Sequence, residues 1–221
     1  GILAADPKIV KRPAPIETLS YPELQLLSAA GTQVLHESAV APVRERQIPL
    51  HIRSTFAPDA PGTRIGFDAP ASLSASGVIG FAGRRPVSML RVIFPENTEE
   101  TALWEVRACL NEHRIETFHS ACGVEGLCLL LSSGAEADAL HAAAEQLRER
   151  FPDAKVKLRE NLAVLLALCR STKDIPKLSA AIEASGAPVH HLVQTPPGAM
   201  FCVNDSQYEQ ALRAAYGAAF A

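Results

Sequence analysis

The chain has 221 residues, a formal net charge of −3 at pH 7 and 48% hydrophobic residues. This length suits one large domain or two to three small ones. The charge excludes a bulk basic surface for nucleic acid or anionic membranes, and no apolar run approaches the roughly 20 residues that a transmembrane helix needs. No signal peptide is predicted, so a cytoplasmic protein is expected, without nucleic-acid or membrane partners.

The sequence does not predict a metal centre. It has five cysteines and no CxxC pair. Most of these cysteines lie in apolar stretches such as "EGLCLLL", which indicates free buried thiols. His190 and His191 are adjacent, and on a strand they would point to opposite faces, so they make a poor metal pair.

Residues 1–55 are predicted to form an α/β segment. In "SYPELQLLSAAG", Ser20 is the expected N-cap of a helix, with Glu23 at its third position and Gly31 at its end. A second helix is predicted near "LHESAVAPVRE", limited or kinked by Pro42. The alternating stretch "PLHIRST" then predicts a short strand.

Residues 56–85 are dense in Pro, Gly, Ser and Ala, which is typical of a linker. A diverged internal repeat follows. "GLCLLLSS" begins at residue 126 and its counterpart "GAMFCVND" at residue 198, an offset of 72. The repeat divides the remainder of the chain into residues 86–153 and 154–221.

Each copy of the repeat predicts the order strand, helix, strand, strand, helix. In the first copy, "SMLRVIF", "IETFHSA" and "GLCLLLSS" are strands, Asn97 caps one helix, and Ser133 with Glu136 starts the next. In the second copy, "NLAVLLALC", "APVHHLV" and "AMFCVND" are strands, and Asp174 and Asp205 cap the two helices. This β-α-β-β-α order is that of a ferredoxin-like sandwich.

The first 66 residues resemble the end of the catalytic domain of aspartokinases, which belong to the amino-acid kinase family. The resemblance lies in "GILAADPKIV", "TLSYPELQLLSAAGTQVLH" and "IPLHIRSTFAPDAPGTRI". The two repeats resemble the tandem ACT domains that follow in this family. The implied fold is α/β (α+β): a C-terminal remnant of an amino-acid kinase domain (1–55), a linker (56–85) and two ferredoxin-like ACT domains (86–153 and 154–221).

The resemblance places Leu3, Lys8, Gln33 and Val34 beside the nucleotide. Family members usually carry an aromatic residue at the first of these positions, an arginine at the second and a lysine at the third. Lys8 could still reach a phosphate, but only as a point charge. The loss of the cation at Gln33 removes a charge-assisted hydrogen bond worth roughly 1.5–3 kcal/mol. The alternatives are a solvated loop lysine at Lys8 and a helix-flanking polar residue at Gln33.

The resemblance also implies an effector site in the first ACT domain. Asn97, Thr98 and Glu99 in "FPENTEE" occupy the effector loop, where N–H groups suit a carboxylate and an acid suits an ammonium group. Ser120 falls near the position of a family Gln-Asn pair. Both effector loops depart from the family pattern, so the alternative is a pair of ACT domains that pack and dimerise without an effector.

The implied parent protein is an aspartate kinase, which uses ATP with Mg²⁺ to convert L-aspartate to 4-phospho-L-aspartate. That reaction opens lysine, threonine and methionine synthesis. The family's Lys-Phe-Gly-Gly-Thr-Ser start is absent, so this chain is expected to be a C-terminal part of a longer product, inactive alone and without catalytic residues. L-lysine or L-threonine is the expected effector, and a homodimer through residues 86–221 is the expected assembly.

Two other functions stay open. The chain could be a non-catalytic amino-acid-binding or assembly module, either a separately made regulatory subunit or a degenerate kinase-like protein. It could also derive from another amino-acid kinase, such as a glutamate kinase, although the two repeats argue against this.

Overall fold

The computed structural model describes residues 1–31, 37–67, 77–95, 100–123, 126–132, 134, 136–194 and 197–220. The helices are α1 (Tyr21–Ala29), α2 (Glu37–Glu45), α3 (Glu100–Glu112), α4 (Ala137–Arg150), α5 (Ile175–Ala184) and α6 (Tyr208–Phe220). The strands are β1 (Ile2–Leu3), β2 (Pro15–Ile16), β3 (Thr18–Ser20), β4 (Leu50–Ile52), β5 (Thr63–Gly66), β6 (Val78–Ile93), β7 (Thr117–Gly123), β8 (Gly126–Ser132), β9 (Lys155–Cys169), β10 (His191–Gln194) and β11 (Gly198–Asn204).

The described chain divides into two compact units. The flanking unit contains Gly1–Arg84 and Val164–Ala221, and the inserted unit contains Arg85–Ala163. The division falls within the two long strands β6 and β9. Part of the segment predicted to be a linker forms strands, because β5 and the start of β6 lie inside residues 56–85. The predicted domain boundaries stay a prediction.

The inserted unit has the predicted β-α-β-β-α order and the sheet order β9–β6–β8–β7. β8 pairs antiparallel with both β6 and β7. One face of this sheet packs against α3 and α4, because alternate strand residues are apolar and the helices bring apolar stripes. The core consists of Leu90, Val92, Val106, Cys109, Leu110, Ile115, Leu127, Leu129, Leu131, Leu140, Ala143, Ala144, Leu147 and Val156.

The flanking unit combines the second repeat with the N-terminal segment. Its larger sheet has the order β10–β11–β9–β6, with β10 and β11 antiparallel. β9 residues 162–168 are at most 1% exposed, as the nearly continuous apolar sequence predicts for a strand covered on both faces. A three-stranded sheet, β3–β5–β4, pairs β3 and β5 in parallel and β4 and β5 antiparallel.

Local signals placed the first two helices correctly. Ser20 caps α1 in a complete capping box: its side chain accepts from the Glu23 N–H, and the Glu23 carboxylate accepts from the Ser20 N–H. Gly31, with φ +104°, follows the helix, and a Cβ there would lie 2.6 Å from the carbonyl oxygen of Gly83. Helix α2 contains Pro42, as predicted.

Three other predicted helix starts differ from the structure. Helix α5 follows a single 3-10 turn, Thr172–Asp174, which Ser171 caps; Asp174 makes no side-chain cap. Another 3-10 turn, Asp205–Gln207, precedes α6, so the predicted cap Asp205 lies within this turn; the N-cap residue of the turn, Asn204, makes no side-chain cap. Because each turn adds three residues before the helix, the cap position moves toward the N-terminus. Helix α4 begins at Ala137, and Ser133 and Asn97 lie outside the described residues.

Candidate nucleotide loop and effector surface

The candidate nucleotide loop comprises residues 4–14, and a short strand pair closes it. β1 and β2 pair antiparallel, with Ile2 opposite Ile16 and Leu3 opposite Pro15. Thr63, fully buried, ties this pair to β5: its hydroxyl accepts from the Ile2 N–H at 2.7 Å and donates to the Ile16 carbonyl at 2.6 Å. The ends of the loop are therefore fixed by the core.

Asp6 organises the turn that carries Lys8. The Asp6 carboxylate accepts from the Lys8 N–H at 2.9 Å, and its carbonyl accepts from the N–H groups of Ile9 and Val10. The Lys8 side chain is exposed. Leu3 is 39% exposed at the entrance to the loop. Lys8 can thus offer an ammonium group to an anion from a fixed backbone turn.

The structure does not test the other half of the predicted nucleotide edge. Gln33 and Val34 lie outside the described residues, just after the end of α1. Whether they approach Lys8 stays a prediction.

Sequence reasoning missed an ion pair beside this segment, between Glu23 and Arg170. Arg170 Nε donates to Glu23 Oε1 at 2.7 Å and Nη2 donates to Oε2 at 3.0 Å. Nη2 also lies 3.4 Å from the Thr18 carbonyl oxygen. Burial by itself would raise the pKa of Glu23, but hydrogen bonds from Arg170 and Ser20 outweigh it and lower the pKa. The capping box marked Glu23 in the sequence, but no local signal pointed to Arg170.

The structure describes only Ser120 among the predicted effector residues. Asn97, Thr98 and Glu99 lie outside the described residues. Ser120 is half-buried on β7, opposite Leu129 of β8. Whether the four predicted effector residues lie together therefore stays a prediction.

A cavity of about 500 Å³ lies between helix α3 and strand β7. Ser120 belongs to the same strand. Its lining residues come from the outer face of the helix and the start of the strand: Trp104, Arg107, Ala108, Asn111, Glu116 and Thr117. Trp104, the chain's single tryptophan, is 67% exposed there. An exposed large aromatic beside an edge strand is typical of an interaction surface.

Nothing among the described residues indicates a resident metal. No group of three or more His, Cys, Asp or Glu side chains in that part of the chain could hold one. None of the five cysteines forms a disulfide; Cys122 is exposed and the other four are buried. None of the described helices is both long enough and apolar enough to cross a membrane.

Residues 1–54 match the family described as "Amino acid kinase family". Among curated relatives, aspartokinase 1 of Arabidopsis thaliana is 42% identical over 65 residues, which cover 29% of this chain and 11% of the plant protein. Aspartokinase 3 of Bacillus subtilis is 23% identical over an alignment that covers 100% of this chain and 50% of the bacterial protein.

Solved structures of aspartate kinases share the fold of this chain. Clostridium acetobutylicum aspartate kinase has a TM-score of 0.85 and 25% identity, covering 99% of this chain and 52% of that chain. Escherichia coli aspartokinase III, solved with aspartate and ADP, has a TM-score of 0.78 at 19% identity, covering 100% of this chain and 50% of that chain. The same enzyme solved with lysine and aspartate gives 0.75, with the same identity and coverage.

A regulatory subunit shares part of the fold. The aspartate kinase regulatory subunit of Thermus thermophilus has a TM-score of 0.53 and 20% identity, covering 66% of this chain and 99% of that chain.

Residues 1–54 are thus similar to the amino-acid kinase family. Over its whole length the chain is similar in sequence to an aspartokinase, as predicted, and it shares the fold of about half of an aspartate kinase chain. The chain spans about half the length of the Bacillus and Clostridium proteins.

Proposed function

We propose that this chain is the nucleotide-edge and regulatory part of an aspartate kinase. The parent enzyme transfers a phosphoryl group from ATP to L-aspartate and forms 4-phospho-L-aspartate, the first step of lysine, threonine and methionine synthesis. The observation that carries the proposal is the union, on one chain, of an amino-acid kinase segment with two β-α-β-β-α repeats, in a fold that covers 99% of the chain at a TM-score of 0.85.

The residues of the loop fit a nucleotide phosphate. Lys8 supplies an exposed cation on a turn that Asp6 holds, and Leu3 supplies an apolar surface at the loop entrance. ATP with Mg²⁺ would bring the reacting phosphoryl group. In the parent enzyme Mg²⁺ would be held largely by the phosphates of ATP, since this ion is usually bound through substrate phosphates and one or two carboxylates. We expect this chain alone to be inactive, because the resemblance places the aspartate site in another part of the parent enzyme.

The inserted unit would bind an α-amino acid and a second copy of the chain. Asn97, Thr98, Glu99 and Ser120 are the proposed effector contacts. β7 is the edge strand of its sheet, and the neighbouring Trp104 is exposed, which supports a homodimer through this side. An effector acts only through its differential affinity for two states of such an assembly.

A second candidate is a non-catalytic amino-acid-binding or assembly module. Gln33 stands where the family has its nucleotide lysine, and the Thermus regulatory subunit has 99% of its length covered by this fold. These observations favour a chain that senses amino acids and assembles with a kinase without contributing to the nucleotide site.

Calorimetric titration of the chain tests both candidates. L-lysine is titrated first, because a structure of the same fold is a lysine complex, and then L-threonine and Mg-ATP. Heat from either amino acid supports an effector site, and absence of heat from both contradicts it. Heat from Mg-ATP that disappears in K8A but persists in K11A supports the nucleotide edge. Lys11 is the matched control, since it is also exposed and lies three residues further along the same loop.

A further inference from the structure

Helix α6 contacts the candidate nucleotide loop at two backbone atoms. The Tyr216 hydroxyl accepts from the Ala14 N–H at 2.9 Å, and Arg213 Nε donates to the Ile9 carbonyl oxygen at 3.1 Å. These contacts join residues 202 and 204 positions apart. Because both use main-chain atoms of the loop, they constrain its path whatever side chains it carries.

A strained residue lies between the two contacts. Arg12 has φ 53°, in the left-handed region that residues other than glycine rarely adopt. Such a conformation persists only where the surrounding structure holds it. The α6 contacts at Ile9 and Ala14 lie on either side of Arg12 and can supply that support.

The side chains that reach the loop are themselves held in place. The Tyr216 ring stacks on Phe220, with centroids 4.7 Å apart and an interplanar angle of 21°. It also lies 6.4 Å from the buried ring of Phe81, whose own N–H donates to the Ala4 carbonyl at 2.7 Å. Arg213 Nη2 bonds to Glu209 one turn earlier at 2.9 Å. The helix therefore presents two oriented groups to the loop.

Tyr216 should contribute more than Arg213. The hydrogen bond from Ala14 is partly buried, whereas the Arg213 side chain is 55% exposed and competes with water for its contact. Exposed contacts of this kind contribute little to stability. The main constraint on the loop is therefore the tyrosine.

We propose that α6 is the positioning element of the candidate nucleotide loop: Tyr216, assisted by Arg213, holds the strained backbone around Arg12 so that Lys8 is presented in one place. The last step, presentation of Lys8 to a phosphate, rests on the proposed function. Since α6 is the final helix of the second repeat, a displacement of this helix would move the loop. The second repeat therefore contacts the candidate nucleotide loop directly, through α6.

Hydrogen exchange of the intact chain, without any ligand, tests the positioning. Loss of one hydrogen bond predicts roughly fivefold faster exchange in Y216F. The informative amides are those of Ile9 and Val10, on the far side of Arg12, because the Ala14 amide loses its own acceptor. Y208F is the matched control, the same change on the same helix. Unchanged exchange at Ile9 and Val10 in Y216F would overturn the proposal.

A second variant tests the role of strain. Asparagine adopts positive φ more readily than arginine. If α6 stabilises the strained loop, R12N in the Y216F background should restore part of the lost protection. A double variant that exchanges as fast as Y216F alone would remove strain from the explanation.

Mg-ATP titrations separate this inference from the proposed function. Weaker binding in both K8A and Y216F, with Y208F unchanged, supports both. Weaker binding in K8A alone overturns α6 as the positioning element while the nucleotide site stands. Altered exchange in Y216F with no Mg-ATP binding to the unmodified chain supports the positioning of the loop and contradicts the nucleotide role.

Discussion

Arg170 and Glu23 form a bidentate ion pair between residues that lie 147 positions apart in the chain. The side chains are 18% and 5% exposed, which makes this pair better shielded from water than the ion pairs of Arg150, Arg148 and Arg213. Glu23 also completes the α1 capping box, and Arg170 is the first residue after β9. The pair therefore fixes the start of α1 to the end of a strand in the second repeat.

Removing the cation of this pair should strongly destabilise the chain. R170M keeps most of the side-chain volume but leaves the Glu23 carboxylate buried without its partner, a loss that costs about 3–5 kcal/mol. We expect the lower end, because Arg170 retains some contact with water. Urea unfolding at pH 7 followed by circular dichroism measures the change.

The control is E105Q, which removes an exposed pair with Arg150. Exposed pairs of this kind contribute little to stability, so E105Q should change the free energy of unfolding much less than R170M. Equal losses of unfolding free energy in R170M and E105Q would show that burial does not strengthen the contribution of the Glu23–Arg170 pair.

The pH dependence of that loss follows from the pKa of Glu23. In the folded chain this pKa is lowered, so the unfolded chain binds the proton first as pH falls. The stabilisation is complete above the unfolded pKa of about 4.3 and is lost as pH falls through the folded pKa. In R170M, burial dominates and should raise the pKa of Glu23. The difference in unfolding free energy between unmodified chain and R170M should therefore be larger at pH 7 than at pH 4.

E23Q provides the comparison for this pH dependence. Glutamine at the same helix position can still complete a capping box, but it does not titrate. The contribution of Glu23 should be absent from the pH profile of E23Q. A gap between unmodified chain and R170M that stays constant from pH 7 to pH 4 would contradict the assignment.

The five thiols should react unequally. Cys122 is exposed, whereas Cys109, Cys128, Cys169 and Cys202 are buried. Burial, followed by the charge of Asp174, raises the pKa of Cys169 to about 12, so it carries almost no thiolate at pH 8. With a chromogenic disulfide reagent at pH 8, we expect one fast thiol in the native chain. C122S should abolish the fast phase and C169S should leave it; a fast phase in C122S would be inconsistent with this structure.

Local signals accounted for most of the fold but not for how distant segments meet. The α1 capping box involves residues three positions apart, so the sequence alone could place it. The strand β6 was predicted only from residue 88, because residues 56–85 are dense in Pro, Gly, Ser and Ala and suggested a linker. Tertiary packing overrides that signal: Gly83 accepts the Tyr208 side chain so closely that a Cβ would lie 1.8 Å from its hydroxyl.

The candidate site divides in the same way. The resemblance to aspartokinases singled out Lys8 as a candidate, and the structure places its backbone on a turn that Asp6 holds. The supports of that turn, Tyr216 and Arg213, approach from about 200 residues away and carry no sequence signal of their own. Such contacts depend on how β6, β9 and α6 pack together, which no local pattern specifies.

The side of the inserted unit that carries Trp104 should form the homodimer. Trp104 is 67% exposed on α3 and lines the same cavity as Thr117 of the edge strand β7, so a second copy could cover both. Truncation of a hot-spot aromatic at the centre of an interface costs roughly 2 kcal/mol or more, which is about 30-fold or more in affinity. W104A should therefore shift the light-scattering mass at roughly 50 µM from dimer toward monomer. F56A is the control, because Phe56 is 99% exposed but lies in the flanking unit. A monomeric unmodified chain would contradict the homodimer. A dimer that W104A leaves intact would place the interface on another surface.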